Sequence, residues 1–171
     1  MIQVALDQEV KPLISPRGGP VDAEVTLTVT GADPLMSLRI GFGSFGQYEL
    51  IARDQADTDG NFSTTIRVPY WAERDRVHFF FLSFGSRRPR ALSDPFHVTA
   101  PDGTARVVGI IRDDPGNCLA LDGPDDTVYS LEGPIGGWSP GMRVLVTGTI
   151  ARAPTCGGNG VPITVRQIQP A

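Results

Sequence analysis

Apolar residues recur at every second position through most of this chain, and no useful stretch shows the spacing of a helix face. In "EVTLTVTG", Val25, Leu27 and Val29 point one way and Thr26, Thr28 and Thr30 the other. Such two-residue alternation is the mark of a half-buried strand. "MSLRIGFG" puts Leu38, Ile40 and Phe42 on one face, and "NFSTTIRVP" does the same with Phe62, Thr64, Ile66 and Val68. "PFHVT" turns Phe96 and Val98 inward. Glycine (20) and proline (15) are plentiful, and the turn-forming segments "PRGGP", "GADP", "DTDGN" and "GSRRPR" separate these runs. The chain is therefore expected to be all-β.

"RVHFFFLSF" departs from the alternation, because both of its faces are apolar. Val77, Phe79 and Phe81 are expected to face the core. Phe80, Leu82 and Phe84 would then point away and form an apolar patch that needs a partner surface. The connection "TAPDGT" separates two zones of composition, which places a domain over residues 1–101 and a second over 102–171. Five strands are expected in the second zone: Ala105–Arg112, Cys118–Leu121, Thr127–Leu131, Arg143–Ile150 and Val161–Ile168.

The segments "ISPRGGPVDAEVTLTVTGA", "LRIGFG", "ADTDGNFSTTIRVP" and "PFHVTAP" resemble bacterial immunoglobulin-like sandwich domains. The segments "VVGIIRDDPGNCLALDGPDDTVYSLEG", "SPGMRVLVTGTI" and "TCGGNGVPITVRQI" resemble a small five-stranded OB-like barrel of an uncharacterised bacterial family. The two resemblances imply an immunoglobulin-like sandwich followed by an OB-like barrel. Neither implies a ligand, because both folds host many functions.

The chain has two cysteines, Cys118 and Cys156, each before a strand of the second zone. A zinc site wants four ligands, and neither histidine, His78 or His97, lies at a metal spacing from them. Two independent buried thiols are one reading. A disulfide is the favoured one: closing a loop of several tens of residues contributes about 4 kcal/mol, comparable with the whole stability of a small domain. It would place the protein in an oxidising compartment.

"DTDGNF" offers Asp57, Asp59 and Asn61 to a cation, with Asp54 just before, but the glycine and the closing acid of a calcium loop fall out of place. A hairpin turn with Gly60 in the left-handed region is expected instead. Asp113, Asp114, Asp122, Asp125 and Asp126 read as solvated turn residues. Arg87, Arg88 and Arg90 sit together at an expected loop tip, a solvated turn that could also hold an acidic partner. No serine–histidine–acid set or phosphate-cradling loop is recognisable, so neither an enzyme nor a cofactor is expected.

Net charge is −4, and the second zone has seven acids to five arginines, which disfavours nucleic acid. No apolar run approaches the ~18–20 residues of a membrane helix. Residues 1–15 lack the basic start and apolar core of a secretory signal. The leading expectation is a non-enzymatic two-domain scaffold or protein-contact module, possible partners being another protein or a second copy. It would be periplasmic or secreted, with a signal trimmed. One alternative is a carbohydrate- or peptidoglycan-fragment-binding module using Tyr129 and Trp138 on the barrel face. Another is a cytoplasmic or phage-derived assembly protein, with Met1 as the native start and the cysteines reduced.

Overall fold

The computed structural model describes residues 10–44, 47–84, 91–114, 118–152 and 160–171, with the backbone alone at Asp114 and Cys118. The described residues are almost entirely strand; the only helical turn among them is a 3-10 turn at Pro124–Asp126. The chain divides into two compact units. The first holds Glu24–Arg67, His78–Asp94 and the segment before Pro16; the second holds Pro16–Ala23, Val68–Val77 and Pro95–Ala171.

The first unit contains two sheets. One has the order β1 (Leu13–Ser15), β3 (Glu24–Val29), β6 (Phe62–Arg67), all antiparallel. Its alternation is the expected one: Val25, Leu27 and Val29 are fully buried. The other is built from β4 (Ser37–Ser44), β5 (Gln47–Gln55), β7 (Val77–Phe84) and the short β8 (Ala91–Leu92). β4 pairs with β5 on one side and β7 on the other, and β8 pairs with β7.

The register of β7 reverses the facing expected for it. Residues directly opposite each other in an antiparallel pair share a face. Phe80 lies opposite Phe42, Leu82 opposite Ile40 and Phe84 opposite Leu38. Leu38, Ile40 and Phe42 form the buried face of β4, so Phe80 and Leu82 point into the same interior, both 0% exposed. Phe42 and Phe80 meet edge to face at 4.9 Å. Phe79 and Phe81 take the opposite face, across from Gly43 and Gly41, and are still only 6% exposed. The Tyr48 ring of β5 stacks on Phe81 at 4.8 Å. The expected patch of Phe80, Leu82 and Phe84 is thus not a free surface; of the three, Phe84 alone is even partly exposed. A strand apolar on both sides carries no alternation that could set its phase.

β5 has no buried face, which is why its sequence shows no strand pattern. Ile40 faces Ala52 and Gly41 faces Leu50, leaving Ile51 as the extra residue of a bulge. A bulge together with Glu49, Arg53 and Asp54 blunts a strand edge against unwanted pairing. The turn after it has Gly60 left-handed at φ +79°, as expected. The Asp57 carboxylate accepts N–H bonds from Asp59 (2.8 Å) and Asn61 (2.9 Å). The turn is not a hairpin, however: it carries the chain from β5 in one sheet to β6 in the other.

In the second unit β2 (Gly18–Gly19) runs parallel to β9 (Phe96–Val98). Five further strands close into a barrel: β10 (Thr104–Asp114), β11 (Cys118–Asp122), β12 (Val128–Glu132), β13 (Arg143–Ile150) and β14 (Val161–Pro170). Their order is β10-β11-β12-β14-β13, closing on β10. Only the β12–β14 pair is parallel. All five expected strands are present, with ends shifted by a few residues. Val107, Ile111, Leu121, Leu131, Val146 and Ile163 fill the interior.

Candidate functional site

Tyr129, a ligand-facing aromatic in the carbohydrate alternative, lies inside. It is 1% exposed, as is His97. The two meet through a hydrogen bond of 3.0 Å between the Tyr129 hydroxyl and His97 Nδ1. On the other side of the ring, Nε2 lies 3.4 Å from Asp75 Oδ1. A carboxylate can only accept, so Nε2 carries the proton and donates to Asp75. If the ring carries that proton alone, Nδ1 is the acceptor and the Tyr129 hydroxyl donates to it. The same Asp75 oxygen accepts the Arg106 backbone N–H at 3.1 Å.

Asp75 is an unusual residue in its backbone as well. Its φ is +58°, in the left-handed region that aspartate tolerates better than most side chains. Its own N–H donates to the Val98 carbonyl at 2.6 Å. Partial burial raises the Asp75 carboxyl, but the hydrogen bonds from His97 and Arg106 outweigh it and hold the group below the usual carboxylate value. Burial pushes the Tyr129 hydroxyl well above its ordinary value, and the Asp125 and Asp75 charges push the same way. An acid–histidine–hydroxyl chain of this type activates a nucleophile only if the hydroxyl meets a substrate. Here the hydroxyl is sealed in the interior, and the set acts as a polar staple joining β9, β10, β12 and the stretch before β7.

The staple has a measurable alkaline signature. An unfolded tyrosine ionises near pH ~10, whereas Tyr129 in the native state holds its proton. The unfolded chain therefore sheds a proton that the folded chain keeps, and stability falls as pH rises past about 10. Tyr129→Phe is expected to cost about 1–2 kcal/mol at neutral pH, by leaving His97 Nδ1 without a donor. The gap to the parent should narrow above about pH 10. Urea midpoints between neutral pH and pH ~11 check this; a constant gap would contradict it.

Beside the staple lies a cleft of about 250 Å³, lined by Pro20, Val21, Ala72, Arg74, Val98, Thr99 and Pro101. Three tight turns form its rim. Ala23 N–H closes on Pro20 O (3.1 Å), Ala72 N–H on Pro69 O (3.0 Å) and Gly103 N–H on Ala100 O (2.9 Å). On the middle turn Tyr70 stands out in solvent, 88% exposed. Asp75 and Arg74 come from "PYWAERDRV", where nothing in the local pattern separates them from a solvated loop. His97 and Tyr129 lie far apart in the chain, and only the fold joins them.

The other expected residues are scattered. Cys118 begins β11, opposite Asp114. Its side chain is not described, and Cys156 lies outside the described residues, as do Arg87, Arg88 and Arg90. Trp138 is half-buried in the β12–β13 connection, and with Tyr129 inside, the two cannot share a ligand face. Asp122 pairs with Arg112 at 3.3 Å on the barrel exterior. Asp125 and Asp126 occupy left-handed positions in the 3-10 turn. Among the described residues no helix is long and apolar enough to cross a membrane.

Fold and site together define an all-β protein with several sheets and a closed five-stranded barrel, one unit of which holds an internal Asp–His–Tyr staple and a turn-rimmed cleft. Comparison with protein-family models, curated proteins and solved structures returns no match.

Proposed function

We propose that this protein is a non-enzymatic two-domain module for protein–protein contact that works outside the cytoplasm. The observation that carries the proposal is the rim of the cleft. Tyr70 and Val21 are left in water on hydrogen-bonded turns, Val21 in the wall of the cleft and Tyr70 two residues before Ala72, which also lines it. Exposed aromatics on a preset framework are typical anchors of protein interfaces. The sealed position of the Tyr129 hydroxyl supports the non-enzymatic part. On this reading the first unit is an immunoglobulin-like sandwich. The second contains an OB-like barrel, a reading supported by the five-strand closure with a single parallel pair. A Cys118–Cys156 disulfide, the basis for the compartment, belongs to the same proposal.

The test is capture of a partner by the intact protein, with chemical cross-linking, from the organism's envelope and medium. A discrete protein retained by the parent and lost with Tyr70→Asp, at unchanged melting temperature, supports the reading. Equal retention by the variant overturns it, as does selective binding to a glycan array, which favours the carbohydrate alternative.

A further inference from the structure

The four residues Glu73-Arg74-Asp75-Arg76 alternate in charge, and three of those charges are committed within the protein. Glu73 and Arg76 pair with each other. Asp75 is held by His97 and the Arg106 N–H. Arg74 makes no ion pair among the described residues, and it lines the cleft. One guanidinium without an ion pair among the described residues thus stands at the edge of the cleft.

We infer that the cleft receives an extended acidic peptide segment of a partner protein, one aliphatic side chain seated against Val21 and Ala72 and an adjacent carboxylate paired with Arg74. The inference rests on the protein-contact reading above. Size favours it: at about 250 Å³ the cleft is smaller than common ligand sites of ~300–1,000 Å³ and suits a side chain rather than a whole cofactor. Wall chemistry favours it too, since Val21, Ala72 and the two prolines stand beside a charged group, the mixture that an aliphatic residue next to an acid would match. Arg74 is a single cation; a phosphate dianion would call for more donors than the lining offers. The planar guanidinium matches a carboxylate in a two-pronged contact.

The site is also preset. All three rim turns are closed by their own backbone bonds. Arg74 precedes Asp75, whose N–H, carboxylate and left-handed backbone are fixed by β9, β10 and His97. A backbone held in this way has little further freedom to lose on binding.

The experiment uses an array of acetylated, amidated hexapeptides probed with the intact protein. The parent should select peptides with Asp or Glu beside Leu, Ile or Val. Changing that acid to its amide should weaken binding about tenfold, the scale of a charge-assisted bond. Arg74→Glu should shift the preference to Lys- or Arg-bearing peptides, and Val21→Glu should abolish selection. Both side chains are exposed, and an unchanged melting temperature confirms folding. No acid-over-amide preference in the parent, or the same preference in Arg74→Glu, overturns the inference. A captured partner that ignores Arg74→Glu but is lost with Tyr70→Asp also sinks the acidic-peptide assignment, while leaving the protein-contact reading standing.

Discussion

Phe80→Asp is expected to abolish cooperative folding of the first unit. Phe80 is fully buried, faces Phe42, and exchanges hydrogen bonds with Ser93 through its backbone, N–H to Ser93 Oγ and O from Ser93 N–H, both at 2.9 Å. Removing a buried Phe costs about 3–5 kcal/mol. A carboxylate in its place adds several more, because a charge is costly to bury. The sum rivals the ~5–15 kcal/mol that holds an ordinary domain together. Phe84→Asp should be much milder, since Phe84 is only partly buried. Melting curves and circular dichroism decide the matter. An outward-facing Phe80 would instead lose only an assembly contact, and a Phe80→Asp variant melting within a few degrees of the parent would restore that picture.

Gly148→Ala is the corresponding test of the barrel. β13 shifts register against β14 between Thr147 and Gly148. A Cβ at Gly148 would overlap the Thr164 carbonyl oxygen and come within 2.9 Å of Ile163 Cγ2. The obstacle is mostly backbone in a paired strand, which cannot step aside as a flexible side chain can. A loss of about 3 kcal/mol is expected, at the upper end of overpacking costs. Gly136→Ala is the control: a Cβ there meets nothing within 4 Å. Denaturant midpoints should fall sharply for the first variant and stay level or rise slightly for the second. Equal midpoints would mean that the β13–β14 seam yields more readily than its geometry implies.

Alternation made the strands with one dry face legible. Val25, Leu27 and Val29 are buried as expected, and the five barrel strands were found because each alternates between turn signals. Three features escaped for physical reasons. β7 is apolar on both faces, so its phase was set by pairing with β4 rather than by its own pattern. β5 is an exposed edge with nothing to bury, so its residues show no alternation to read. The staple is a tertiary object: Tyr129 and Ser130, neighbours on β12, are both buried, so alternation gave no warning of which way Tyr129 points. That Arg74 has no ion pair among the described residues is visible only after its neighbours have found partners.

The closure of the barrel has a consequence for how the chain reaches its native state. β14 sits between β12 and β13, parallel to one and antiparallel to the other, although it is made after both. Until residues 161–170 have left the ribosome, β10 to β13 can form only an open sheet with two raw edges. Such edges are templates for pairing with other chains. Of its two seams, the one with β12 joins segments separated by the whole of β13, which is the slower kind of contact to make. β14 is therefore the keystone of the barrel. Without it, the free edges of β12 and β13 are the places where the barrel could pair with another chain.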